Sequence, residues 1–328
     1  MKQRDVTVII PNYNGAQDLT ACLDALAKQT YPADVIVVDD ASTDESVRIA
    51  EAYAATGAIR SLTLLRHKKN RGFAAAVNTG IRKAKTPYVI LLNNDAFAEK
   101  TFTESLVHAV GRKKNTFAVQ AMMLRASDPG NHIDSSGDYF CALGWAFSPG
   151  RDQNAAYYAQ RTRITSACAG AAIYVRAVFD EIGLFDEAHF SYIEDVDIGL
   201  RALRAGYDSF FEPAAVVHHK GSATTGSRYN AFKTRMTTAN SLYTAYKNMP
   251  AWMLVLYFPL LASGALIKGA FYAKRGFLRD WLCGLKEGMR KISAYRSAGR
   301  PLSVISSPRR DALLMLELLG NCARRVRE

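Results

Sequence analysis

The sequence predicts an α/β fold built on a mostly parallel, doubly wound sheet, with a helical, membrane-associating tail at its C-terminal end. Three observations lead there. Short apolar runs alternate with stretches of helical spacing; each run ends in polar or small residues; and beyond residue 245 the composition turns first apolar and then basic. Runs that are apolar throughout suit strands covered on both faces, so their polar ends should share one rim of the sheet. That rim is where an open α/β sheet binds its ligands.

Residues 6–10 form a β-branched run stopped by Pro11-Asn12-Tyr13-Asn14-Gly15, and residues 16–29 then carry Leu19, Leu23 and Leu26 at helical spacing. A second strand, residues 35–38, ends at Asp39-Asp40-Ala41-Ser42-Thr43-Asp44 and precedes a helix through Val47, Ile49, Ala50 and Tyr53. Residues 62–65 supply a third strand. The segment Asn70-Arg71-Gly72-Phe73-Ala74-Ala75-Ala76-Val77-Asn78 opens a helix whose glycine and alanines let backbone approach a partner closely. A fourth strand, residues 88–92, ends in Asn93-Asn94-Asp95. Residues 131–165, with Gly137, Gly144, Pro149, Gly150 and several aromatics, break the rhythm and read as loops and short antiparallel strands able to contact an acceptor. Glu194-Asp195-Val196-Asp197 opens a helix through Leu200, Ala202 and Leu203, and residues 214–217 form a strand ending at His218-His219.

At 328 residues, 49% of them hydrophobic, the chain can hold one large or two small packed domains, and disorder is not expected for most of it. Its five cysteines are scattered without a C-x-x-C pair and no signal sequence precedes the first strand pattern, so a reducing, cytoplasmic setting is expected. Of the net charge of +12, residues 268–328 contribute +9, from 14 Lys/Arg against 5 Asp/Glu. With no aromatic-interleaved RNA motif and no zinc spacing, this basic tail points to an anionic membrane surface rather than nucleic acid. Just before it, residues 248–267 are twenty uncharged, mostly apolar positions interrupted by Pro250, Pro259 and Gly264, enough to span a bilayer. Both flanks are basic, with Lys233, Arg235 and Lys247 before and Lys268, Lys274, Arg275 and Arg279 after. A peripheral or monotopic segment at the inner face of the membrane therefore fits better than a single crossing, and a buried helix is the alternative.

Asp39, at the carboxyl end of a central strand, can accept the imide N–H of uracil or thymine, with Pro11 and Tyr13 on the neighbouring rim fixing the loop and contacting the base. Asp40 shares that strand end, while Ser42 to Asp44 also suit an N-cap and acidic first turn. Asn70 and Asn78 can orient ribose or sugar hydroxyls, and Gly72 lets backbone come close. Asp95 is a hard oxygen ligand suited to Mg²⁺ or Mn²⁺, and one of His218 and His219 can complete that site. Glu194 and Asp195 lie in a first helical turn, where they complement the helix dipole; side by side, each raises the other's proton affinity, which suits a general base. Asp197 stands four residues before Arg201, an ordinary ion-pair spacing.

Taken in order, Val8-Ile9-Ile10-Pro11-Asn12-Tyr13-Asn14, Val38-Asp39-Asp40-Ala41-Ser42-Thr43-Asp44, Asn70-Arg71-Gly72-Phe73-Ala74, Asn93-Asn94-Asp95, and Gly183-Leu184-Phe185-Asp186-Glu187 through Glu194-Asp195-Val196-Asp197 to His218 resemble the family 2 glycosyltransferases of the GT-A fold, nearest their rhamnosyltransferase-like bacterial branch. The resemblance covers residues 5 to about 245. It implies an inverting transferase that uses a divalent metal and a nucleoside-diphosphate sugar, with dTDP-rhamnose an option; Asp39 narrows the donor to a UDP- or dTDP-sugar, and the membrane-associating tail points to a cell-envelope or lipid-linked glycan acceptor. By position it assigns Asp39 to the base, Asn93 and Asn94 to the donor, Asp95 to the metal, Asp195 to the catalytic base with Glu194 beside it, and His218 to the metal or diphosphate. The departure is Asn93, where many members of the wider fold class have Asp, which leaves the site one negative charge short. Residues 1–245 are expected to form the catalytic domain and 246–328 the hydrophobic and basic tail. Two other readings are a sugar nucleotidyltransferase, which would want a basic phosphate loop where residues 11–15 have no Lys or Arg, and an inactive sugar- or lipid-binding scaffold.

Overall fold

The apolar runs become the parallel half of one large sheet. The computed structural model describes residues 5–59, 61–126, 128, 130–221, 229–299 and 307–327. Its first half alternates β1 (Val6–Asn12), α1 (Ala16–Ala27), β2 (Asp34–Asp39), α2 (Ser46–Ala55), β3 (Leu62–Arg66), α3 (Phe73–Lys83) and β4 (Tyr88–Leu92). β1 pairs in parallel with β2 and β4, and β2 with β3. Successive strand residues enter opposite cores: Ile9, Ile36 and Leu91 face one side, and Val8, Ile10, Val35, Val37, Ile90 and Leu92 the other.

The second half is mixed. β5 (Ala96–Ala98), α4 (Phe102–Val110) and β6 (Thr116–Arg125) lead into the short strands β7 (Ile133–Ser135), β8 (Tyr139–Phe140), β9 (Ala146–Phe147) and β10 (Thr162–Ile164), as the broken rhythm of residues 131–165 predicts. β11 (Ala171–Val175), α5 (Val178–Ile182), α6 (Glu194–Ala205) and β12 (Asp208–His219) follow. The sheet order is β10-β12-β6-β11-β4-β1-β2-β3. β11 runs antiparallel to both neighbours and joins the parallel half to the parallel pair β6 and β12. β12 extends well before the expected 214–217, because its register shifts between Glu212 and Val216, around Pro213, and pairing resumes beyond the bulge.

Four helices follow among the described residues: α7 (Ala231–Asn248), α8 (Ala251–Ala273), α9 (Leu278–Ser297) and α10 (Pro308–Arg327). The expected limit at residue 245 falls inside α7, and α9 and α10 beyond it pack back on the sheet domain, because they carry apolar stripes that need cover. α9 lies so close to α7 that a Cβ on Gly284 would stand 2.7 Å from the Arg235 carbonyl oxygen. α10 buries Leu314 and Leu318 in the core that holds Val196 and Leu200 of α6, and its Asn321 donates to the Phe140 carbonyl at 2.9 Å. α8 differs: it is long and apolar enough to cross a membrane, yet only 17% of its most apolar stretch is buried. Trp252, Val255, Leu256, Phe258, Leu266 and Ile267 face outward.

Candidate active site

β1 and β2 end side by side, and their register sets Asn12 opposite Asp39. The Asn12 amide donates to Asp39 Oδ1 at 3.0 Å, and its carbonyl oxygen accepts from the Asn94 amide at 2.7 Å. One side chain thus ties together the ends of β1, β2 and β4. Asp39, 2% exposed, also receives the Ser42 backbone N–H at 3.1 Å. It lines a cavity of about 560 Å³ with Ala41, Ser42, Arg66, His67 and Lys68, a volume within the range of small-molecule pockets. Pro11 is buried within β1, and Tyr13 stands on the rim, exposed.

Asp40 points elsewhere than expected. Its carboxylate accepts the backbone N–H groups of Arg71 at 2.9 Å and Gly72 at 2.7 Å and meets His67 Nδ1 at 2.7 Å, so it holds the 70–72 turn. Asn70 supports the same turn by accepting from the Gly72 N–H at 3.0 Å. Gly72 has φ +87°, and a Cβ there would lie 2.5 Å from the Phe190 carbonyl oxygen, so glycine is required on both counts. Asn78 is a correction. It is 1% exposed, donates to the Phe185 carbonyl at 2.8 Å and accepts the Phe185 N–H at 3.0 Å. Both ends of its amide pin the segment before α6.

The imidazole beside Asp95 is His219, not His218. His219 Nε2 lies 3.2 Å from Asp95 Oδ1, and Nδ1 lies 2.7 Å from Asp134 Oδ2. His218 turns to the other face of β12, as adjacent strand residues must, and meets the exposed Glu99 at 3.1 Å. The Asn93 amide stands 3.3 Å from His219 Nε2. Burial lowers the proton affinity of His219, but its bonds to Asp134 and Asp95 outweigh this and push its pKa up to about 9. A carboxylate oxygen next to an imidazole whose second nitrogen is held by another carboxylate is a donor set that fits a divalent cation such as Mn²⁺.

The segment leading into β11 connects this site to α6. The Asn93 N–H donates to the Gly170 carbonyl at 2.9 Å, while the Cys168 thiol lies within 4.8 Å of the Asp195 carboxylate, which accepts the Val196 N–H at 2.7 Å. Ser166 donates to the Asp195 carbonyl at 2.5 Å and exchanges two backbone hydrogen bonds with Asp138, both 2.9 Å. Donor atoms of Asp138, Cys168 and Asp195 lie within 4.8 Å of one another. Burial raises the Asp195 pKa, and the surrounding N–H groups offset this only in part. Burial and then Asp195 raise both Asp138 and Glu194 well above the ordinary carboxylate range. Glu194 is 6% exposed, and its Oε2 has no partner among the described residues. Asp197 has the opposite character: despite burial, Lys247 at 2.9 Å and Arg201 at 3.0 Å hold it far below the ordinary range, as part of the framework.

Asn12 and His219 stand inside motifs that the sequence already singles out, next to the residues chosen. Asp134 and Asp138 lie among the short strands of residues 131–165, where no periodicity marks them.

GlyG, a glycosyltransferase of Streptococcus pneumoniae, is 35% identical over 33% of this chain and 36% of its own length, so the chain spans about a third of that relative. The N-acetylglucosaminyl-diphospho-decaprenol L-rhamnosyltransferase of Mycobacterium tuberculosis is 29% identical over 66% of this chain and 76% of its own. The mannosyltransferase PcManGT from Pyrobaculum calidifontis, solved with GDP-Man and Mn²⁺, aligns with a TM-score of 0.56 at 20% identity, over 99% of this chain and 87% of that one. The shared architecture is the GT-A fold. The glycosyl transferase family 2 model matches residues 7–183, more than half of the chain, and takes in the Asp39 pocket and the Asp95 turn: the chain belongs to glycosyl transferase family 2.

Proposed function

We propose that this glycosyltransferase moves one sugar, with inversion at the anomeric carbon, from a UDP- or dTDP-sugar to a hydroxyl of a lipid-linked or cell-envelope glycan. The observation that carries the reading is the short span from Cys168 to Gly170, which touches Asn93 at one end and lies within 4.8 Å of the Asp195 carboxylate at the other. Donor and acceptor chemistry can therefore meet across it. Asp39 holds the imide N–H of the base, which favours a pyrimidine. Asp195 takes the proton from the acceptor hydroxyl as that oxygen bonds to the anomeric carbon; the bond from that carbon to the diphosphate oxygen breaks, and the nucleoside diphosphate leaves. A divalent cation, Mn²⁺ or Mg²⁺, held by Asp95 and His219 would neutralise charge on the diphosphate. dTDP-rhamnose and a lipid-diphosphate acceptor draw support from the name of the mycobacterial relative.

A lipid-linked acceptor also agrees with the outward apolar face of α8 and the +9 carried by residues 268–328, which suit attachment to the anionic cytoplasmic leaflet. A thermal-shift screen of UDP-, dTDP- and GDP-sugars with Mn²⁺ tests the donor: pyrimidine donors should raise the melting temperature, and a preference for GDP-mannose would contradict the assignment of Asp39. NMR of the product tests the stereochemistry, and a retained anomer would remove Asp195 from its role.

A further inference from the structure

The backbone entering α6 is left-handed at three non-glycine residues, Phe190 (φ 63°), Tyr192 (φ 69°) and Ile193 (φ 70°). Such conformations persist only where the surroundings over-determine them. Central to the surroundings here is one buried side chain. Asn240 of α7, 0% exposed, donates from its amide to the carbonyls of His189 at 3.0 Å, Ser191 at 2.9 Å and Tyr192 at 2.8 Å. Its carbonyl oxygen accepts from Lys291 Nζ of α9 at 2.6 Å. An ammonium only donates, so Lys291 dictates which end of the Asn240 amide faces the loop.

The clasped loop bears on both halves of the site. Its Phe190 carbonyl accepts the Ala74 N–H at 3.3 Å and abuts Gly72, on the donor side, and four residues later the chain presents Glu194 and Asp195. Besides Asn240, the charged groups around Lys291 are Glu287 of its own helix, Asp186, Glu194 and Arg235 of α7. We infer that Asn240 and Lys291, both beyond the span matched by the family model, are positioning residues that hold the first turn of α6 in its catalytic geometry. The C-terminal helices then contribute to turnover and not only to attachment.

This inference rests on the reaction proposed above, so its test has one arm that needs no activity. Lys291→Met keeps the length of the side chain and removes the donor; Lys291→Arg restores one. In full-length protein, Lys291→Met should lower kcat about 10-fold or more while donor KM stays within about twofold, and Lys291→Arg should recover most of the loss. Hydrogen exchange should quicken at the amides of residues 189–196 in Lys291→Met and return toward wild type in Lys291→Arg. Wild-type kcat with unchanged exchange overturns the inference, and so does a loss of kcat that merely follows a lowered melting temperature with exchange rising throughout the fold. If wild-type protein turns over no nucleotide sugar, the reaction proposed above fails instead, and the exchange of residues 189–196 decides the clasp alone.

Discussion

Asp195 begins α6 half-buried, with Asp138 and Cys168 around it, in surroundings that favour its holding a proton. Asp195→Asn keeps the shape and loses the proposed base, so transfer should fall by ~10²–10⁴ while calorimetric titration finds donor affinity largely intact. The base must be ionised to act, and burial raises its pKa above the ordinary value of about 4, so activity should fall on acidification with a midpoint above that value. A midpoint at or below the ordinary value would show that another group accepts the proton. Stability follows opposite signs at two neighbours. Glu194, with its pKa raised on folding, stabilises less as pH rises from about 4 through its folded value; Asp197, with its pKa depressed, contributes fully above about 4 and progressively less as pH falls below it. At the proposed metal site, His219→Ala should weaken Mn²⁺-dependent donor binding and His218→Ala should not. The motif names both histidines, and only the pairing of β12 decides between them, because a one-residue step reverses the face of a strand.

Among the elements, α6 combines the first turn proposed to supply the base with a framework carboxylate. Asp197 and Lys247 are 0% and 1% exposed at their side chains, and Lys247 also reaches Asp186 at 2.7 Å. Lys247→Ala would leave the buried Asp197 with Arg201 alone and the half-buried Asp186 without its ammonium, and should cost about 3 kcal/mol in denaturant unfolding; a loss under about 1 kcal/mol would mean that water replaces the ammonium. The i, i+4 spacing to Arg201 is legible in the sequence, whereas Lys247, fifty residues on, is not. The same distinction separates Asp39 from Asn78. Asp39 closes an apolar strand, so its rim position is read directly. Asn78 sits inside a helix, and which of its neighbours is solvent and which is the Phe185 backbone depends on how the chain returns from β11.

At the scale of the whole molecule, the two proposals assign the C-terminal helices two tasks. α9 and α10 are packed on the catalytic domain, so cutting the chain at residue 245 would sever α7 and uncover α6. A sound test of attachment keeps the full length: wild type should float with anionic liposomes, less so at high salt, and a Val255→Asp, Phe258→Asp variant should remain folded but stay in the heavy fraction. Each Lys or Arg near the surface is expected to add ~1 kcal/mol of attraction. Flotation of the variant equal to wild type would take the membrane role away from the α8 face.

The sequence by itself determined the parallel strands, the rim that carries Asp39 and Asp95, the acidic start of α6 and the change of composition after residue 245, because each of these is a local pattern of apolar period, strand-end chemistry or charge. Only the tertiary structure decided that His219 meets Asp95, that Asp40, Asn70 and Asn78 serve backbone turns, that Asp138 lies beside Asp195, and that Asn240 and Lys291 close on the loop before it. These depend on register and on contacts between residues far apart in the chain, and a hydrogen bond between two polar side chains leaves no periodic trace in either segment.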